Sequence, residues 1–149
     1  MSAGYSAQIA LTCQTLYDFF MQKDFDGWNE IKKKTNADET YLPLYHERQV
    51  RWCRLGANVG FEQDGTGKDF SRPVLIFKGL SRNVCLIIPM TTSTKENKYR
   101  VSAGIVDGVR AVALISQIRL VDTKRLDKQV TTIDKETFKR IRKAVKALL

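Results

Sequence analysis

Arg72 stands beside Pro73 at the start of a short apolar run, in the stretch VGFEQDGTGKDFSRPVLIF, residues 59–77. A guanidinium at a strand edge is held more firmly than one inside a loop. Its planar fork matches two oxygens of a phosphate. Other polar groups sit at similar edges. Glu62 and Arg72 flank the glycine-containing segment, Thr91, Thr92, Ser93 and Thr94 follow LIIPM, and Gln117 and Arg119 follow VALIS. A Thr hydroxyl adds a donor, and a carboxylate orients the Arg or accepts a proton. Together such groups can bind and strain a phosphodiester, although each alone is common and a Ser/Thr run is more often a solvated turn.

Other chemistries are less well supported. DGTGK has no glycine five residues before Gly67, where Glu62 stands, and Lys68 is followed by Asp69. The segment therefore lacks the phosphate-binding glycine-lysine motif, and Gly65 and Gly67 read as loop flexibility. The single histidine, His46, has no visible catalytic partner. Cys13, Cys53 and Cys85 are far apart, with no CxxC or Cys/His spacing. Neither a zinc site nor a disulfide framework is expected, but reduced, mostly buried thiols in a cytoplasmic protein. No metal or cofactor is implied. No apolar run approaches the ~20 residues of a membrane span, and the first residues lack the basic start of a secretory signal.

The elements that must carry these groups follow from the pattern. Residues 1–45 read as a helical extension. Ile9, Leu16, Phe19 and Phe20 recur at near-helical spacing, and a break near Lys23–Gly27 precedes Trp28, Ile31 and the run Lys32-Lys33-Lys34. TNADETYLPLY reads as loop. In QVRWCRL, Val50 and Trp52 alternate with Arg51 and Cys53 as in a half-buried strand. PVLIFK and NVCLIIPM are apolar enough for central strands. KYRVSA alternates weakly. Asp107-Gly108 marks a hairpin, with a strand after it that QIRLVD continues, and a short last strand lies at QVTTI. Asp134 caps a final helix, Ile133 and Phe138 staple it, and Phe138, Ile141, Val145 and Leu148 form its apolar stripe. The class is α+β, a small curled sheet or barrel with a helix packed on it. The net charge of +9 is uneven, with −2 on residues 1–46 and +11 on residues 47–149. The basic part suits an anionic partner or simply a solvated surface.

Four pieces in order now resemble the PemK/MazF family of toxin ribonucleases. They are Gly60-Phe61-Glu62-Gln63, Arg72-Pro73-Val74-Leu75, Pro89-Met90-Thr91-Thr92, and the strand from Ala111 through Gln117 to Arg119. The resemblance spans roughly residues 47–149. It implies an SH3-like bent β-barrel of the PemK/CcdB type with a C-terminal helix, a homodimer, and a cognate antitoxin that blocks the site. It also implies metal-independent cleavage of single-stranded RNA, usually mRNA. Arg72 and Thr91 match the family's catalytic pair. Glu62 matches an acidic residue near the site, and Gln117 a polar position lining it. Lys68, Thr92, Ser93 and Arg119 are candidates for RNA contact. The 2′-hydroxyl would attack its own phosphate, leaving a cyclic phosphate and a 5′-hydroxyl.

Two features depart from the pattern. Residues 1–45 have no counterpart in compact members, and could pack on the barrel, bind the antitoxin or cover the RNA groove. No Asp-x-Arg pair of the kind some relatives use is evident; Asp107 to Arg110 is nearby but spaced differently, which leaves the proton acceptor open. Two rivals remain: a barrel toxin of the CcdB kind that binds a protein target, and a non-catalytic SH3-like nucleic-acid-binding or adaptor module.

Overall fold

Apolar runs separated by turn residues build one curled antiparallel sheet with helices against it. The computed structural model describes residues 22–149. The expected helix around Ile9 to Phe20 lies outside these. Helix α1 (Phe25–Ala37) comes first, capped by the Asp24 carboxylate, which accepts from the Gly27 amide at 2.8 Å. Seven strands follow: β1 (Gln49–Arg54), β2 (Ser71–Gly79), β3 (Val84–Thr91), β4 (Arg100–Val106), β5 (Val109–Leu114), β6 (Arg119–Asp122) and β7 (Leu126–Thr132). Helix α2 (Lys135–Leu148) closes the chain.

The strand order is β4-β5-β3-β2-β1-β7, with β6 also on β3. β3 is shared: its first half pairs with β6 and its end, Met90 and Thr91, with β5. A strand that changes partner along its length bends the sheet, and shifted registers in β1–β7, β2–β3 and β4–β5 add twist. Two cores result. One lies between the sheet and α2 and holds Val50, Leu75, Ile88, Met90, Phe138, Ile141 and Val145. The other holds Cys53, Leu55, Val74, Ile76, Ile87, Val121 and Leu126. β2 and β3 bury both faces between these cores, as their unbroken apolar runs require.

Helix α2 follows the sequence expectation except at its end, where Leu148 is exposed while Phe138, Ile141 and Val145 are buried. The Asp134 carboxylate accepts from the Thr137 amide and hydroxyl at 2.7 and 2.8 Å, and Ile133 and Phe138 are buried. These bonds hold the Asp134 carboxyl below its usual value. Asp107 and Gly108 take φ of +51° and +75°, the left-handed pair that a two-residue hairpin turn needs.

Three expectations need correction. β1 does not bury Val50 and Trp52 against exposed Arg51 and Cys53. Val50 and Cys53 are both fully buried, one in each core, and Trp52 is 43% exposed. Arg51 is buried too, because its guanidinium donates to the carbonyls of Asp127 and Leu44 at 2.9 and 2.7 Å. QIRLVD does not continue β5: a single 3₁₀ turn, Ile115–Gln117, turns the chain so that β6 pairs with β3 instead. The last strand is longer than QVTTI and starts at Leu126. Cys53 and Cys85 are free and buried, and burial pushes their thiols up to about 12 and about 11. No helix among the described residues is long and apolar enough to cross a membrane.

Candidate functional site

The β2–β3 register sets the geometry. Val74 pairs with Pro89, and carrying that antiparallel register two residues towards the open end puts Arg72 opposite Thr91. Pro73 lies just before this β2–β3 register begins and stands opposite Trp52 of β1. Arg72 and Thr91 then share a cleft of about 310 Å³ with Trp52, Pro73, Met90, Thr92, Val106, Asp107, Val109, Ala111 and Val130.

The Arg72 side chain is fixed by three groups. Nε donates to the Asp64 carbonyl at 2.8 Å and Nη1 to the Met90 carbonyl at 3.1 Å. The Gln63 amide, turned with its oxygen towards the guanidinium, accepts from Nη2 at 2.9 Å. A guanidinium carries five N–H groups, so two have no partner among the described residues. Burial lowers the Arg72 pKa, and the Asp64 charge opposes that shift. This is a half-buried, pre-aimed cation at the wall of a cleft, the arrangement that best stabilises charge developing on a bound oxyanion.

Gln63 and Asp64 belong to the β1–β2 loop, which is far from slack. Gln117 straddles it: Oε1 accepts from the Gln63 amide at 3.1 Å, and Nε2 donates to the Phe61 carbonyl at 3.0 Å. The Thr66–Ser71 bridge and the Gly56 amide on the Phe70 carbonyl close its base. Gly65 is needed for close approach rather than flexibility, since a Cβ there would lie 1.7 Å from the Phe70 carbonyl oxygen. Gly67 does have a conformational role, at φ +72°.

The other sequence candidates fall in three places. Thr92 joins Arg72 and Thr91 in the cleft. Ser93 is on the neighbouring groove of about 600 Å³, which Thr92 also lines with Lys95, Arg100 and Arg110. The Thr91 hydroxyl oxygen accepts from the Ser93 amide at 3.1 Å. Glu62, Lys68 and Arg119 line neither space. Glu62 and Lys68 are exposed on the β1–β2 loop, and Arg119 opens β6 opposite Ile87. Among the described residues, the acidic residue that lines the cleft is Asp107, at the β4–β5 turn. Among the described residues no three His, Cys, Asp or Glu side chains form a group able to hold a metal ion.

Sequence reasoning missed Gln63, Asp64 and Trp52 as parts of the site, and saw Asp107 mainly as a turn. Gln63 stood in a motif already quoted, directly after Glu62. Asp64 holds Arg72 through its main-chain oxygen, so its residue type carries no signal for that role.

Similarity to known proteins bears on the fold and the family. The sequence pattern described as PemK-like, MazF-like toxin of type II toxin-antitoxin system matches residues 46–149. The chain belongs to that family. No curated protein matches it. Among solved structures it is similar to MazF from Deinococcus radiodurans, with TM-score 0.58 and 22% identity over 72% of this chain and 96% of that one. It is also similar to an endoribonuclease in complex with its cognate antitoxin from a mycobacterial species, with TM-score 0.53 and 18% identity over 70% and 93% of the two chains. A MazF toxin of Mycobacterium tuberculosis gives TM-score 0.52 and 16% identity over 67% and 94%. These likenesses establish the shared fold.

Proposed function

We propose that the protein is the toxin of a toxin–antitoxin pair and cuts single-stranded RNA, with mRNA as its natural substrate. The observation that carries this reading is Arg72, half-buried, held by three groups and with two N–H groups unpartnered among the described residues, in a cleft with Thr91. In this reading the substrate supplies the nucleophile. Its 2′-hydroxyl attacks the adjacent phosphorus, and the bond to the 5′-oxygen breaks. The products are a 2′,3′-cyclic phosphate and a 5′-hydroxyl. Arg72 meets the extra charge on the phosphorane, and the Thr91 hydroxyl donates to a nonbridging oxygen. In this reading Arg72 also gives a proton to the departing 5′-oxygen.

The proton of the 2′-hydroxyl needs an acceptor. Asp107 lines the cleft and Glu62 does not, so the base role is assigned to Asp107 rather than Glu62. Gln117 acts through Gln63 on Arg72. Thr92 and Ser93 lead the RNA from the cleft into the groove bearing Lys95, Arg100 and Arg110, whose charges suit a phosphate backbone. Lys68 and Arg119 are left as backbone contacts outside the cleft. Trp52 and Val109 line the cleft at 43% and 51% exposure, an apolar rim that an antitoxin or a second copy of the chain would cover. The reading places the protein in the cytoplasm, as a homodimer with an SH3-like barrel.

Matched RNA and all-deoxy oligonucleotides test the chemistry. RNA should give fragments with cyclic phosphate and 5′-hydroxyl ends, and the deoxy strand should stay whole. Cleavage of both strands, or 5′-phosphate ends, would contradict attack by the 2′-hydroxyl.

A further inference from the structure

Residues that precede the family match reach the loop that shapes the site. Lys23 is only 17% exposed, unusual for a lysine. Its Nζ donates to the carbonyls of Asn58 and Gly60 at 2.7 and 2.8 Å and lies 2.9 Å from Asp64 Oδ2. An ammonium has three donors, and these three oxygens use them all. The other Asp64 oxygen accepts from the Asn58 amide at 2.7 Å. One lysine thus gathers three points of the loop around the residue whose carbonyl holds Arg72 Nε.

Helix α1 supports the same loop a few residues on. Trp28 is 6% exposed and packs 5.7 Å from the Phe70 ring, with the Arg125 guanidinium 5.5 Å over its own ring. It lies so close to Gly56 that a Cβ there would meet the indole at 2.1 Å. The far end of α1 is tied down as well, where Lys124 Nζ donates to the Asn36 carbonyl at 3.0 Å.

We propose that Lys23 is a positioning residue for Arg72: it clamps the β1–β2 loop so that the Asp64 carbonyl stays on the guanidinium. The segment ahead of the family domain is then a working part of the site. The effect on rate rests on the ribonuclease reading; the clamp itself does not.

The test reads Arg72 directly, through solvent exchange of its Nε–H in NMR spectra of the full chain. In Lys23→Met that exchange, and exchange of the Gly65 amide, should quicken about tenfold, as local opening becomes easier. Lys23→Arg, which keeps a charged donor, should restore most of the protection. Asp64→Asn leaves the carbonyl in place but removes the ion pair, and should loosen Arg72 as Lys23→Met does. In parallel, Lys23→Met should lower kcat on RNA about tenfold with KM within about twofold. Unchanged Nε–H exchange in both Lys23→Met and Asp64→Asn would overturn the clamp, even if the wild type cuts RNA. Faster exchange with unchanged kcat would overturn its catalytic purpose. A wild type that cuts no RNA, while Nε–H exchange still responds, would sink the ribonuclease reading and leave the clamp standing.

Discussion

The two loops that bracket the Arg72–Thr91 cleft are built in opposite ways. The β1–β2 loop is held by distant residues: Lys23 and Trp28 from the N-terminal side, Gln117 from beyond β5, and Arg72 from β2. The β3–β4 loop is held mostly by its own neighbours, with a long-range tie only at its end, where the Ile115 amide donates to the Tyr99 carbonyl at 3.0 Å. Ser93 donates to Thr91, Lys95 to Ser93 and Tyr99 to Asn97, each a bond across two residues. Residues 94–99 are exposed throughout. Long-range ties fix geometry, and short-range turns leave a segment free to follow a ligand. In this account the first loop aims the cation and so governs kcat. The second meets the strand and so governs KM.

The largest effect should come from Arg72, which the first loop aims. Arg72→Ala should lose on the order of 10²–10³ in kcat, as removal of one transition-state donor does. Asp107→Asn should lose about 10² in kcat, as removal of a general base does. An unaltered kcat in Asp107→Asn beside a loss in Glu62→Gln would return the base role to Glu62. Gln117→Ala breaks both ties to the first loop and should lower kcat about tenfold with little change in KM. A change in KM alone would erase the distinction between the loops. Lys95→Ala, on the second loop, should leave kcat alone and reduce the slope of log affinity against log salt by about 0.7 if it meets one phosphate of the strand. The smallest effect belongs to Phe61, 90% exposed on the first loop. Phe61→Ala should alter KM by a few-fold if the ring stacks on a base, which comparison of oligonucleotides differing at single positions would detect.

The contrast between the loops was only half visible in the sequence. The apolar runs of β2 and β3 and the Asp134 cap of α2 depend on local pattern, and they were legible. The orientation of β1 was not, because a strand squeezed between two cores buries Val50 and Cys53 on opposite faces. Arg72 and Thr91 were named from motif order, yet their meeting depends on a register no single segment encodes. Gln63 needed Arg72 in place before its amide meant anything, and Asp64 works through a main-chain oxygen. Lys23 is one lysine among many, and its three acceptors lie some forty residues away, at Asn58, Gly60 and Asp64.

Whether a loop-held Arg72 cuts RNA is decided by a single assay. Purified protein and Arg72→Ala are each incubated with a long single-stranded RNA in EDTA, and the fragment ends are mapped. Discrete fragments with 5′-hydroxyl ends are expected from the wild type, and nearly intact RNA from the variant. Intact RNA with both proteins, or equal cutting by both, would contradict this reading.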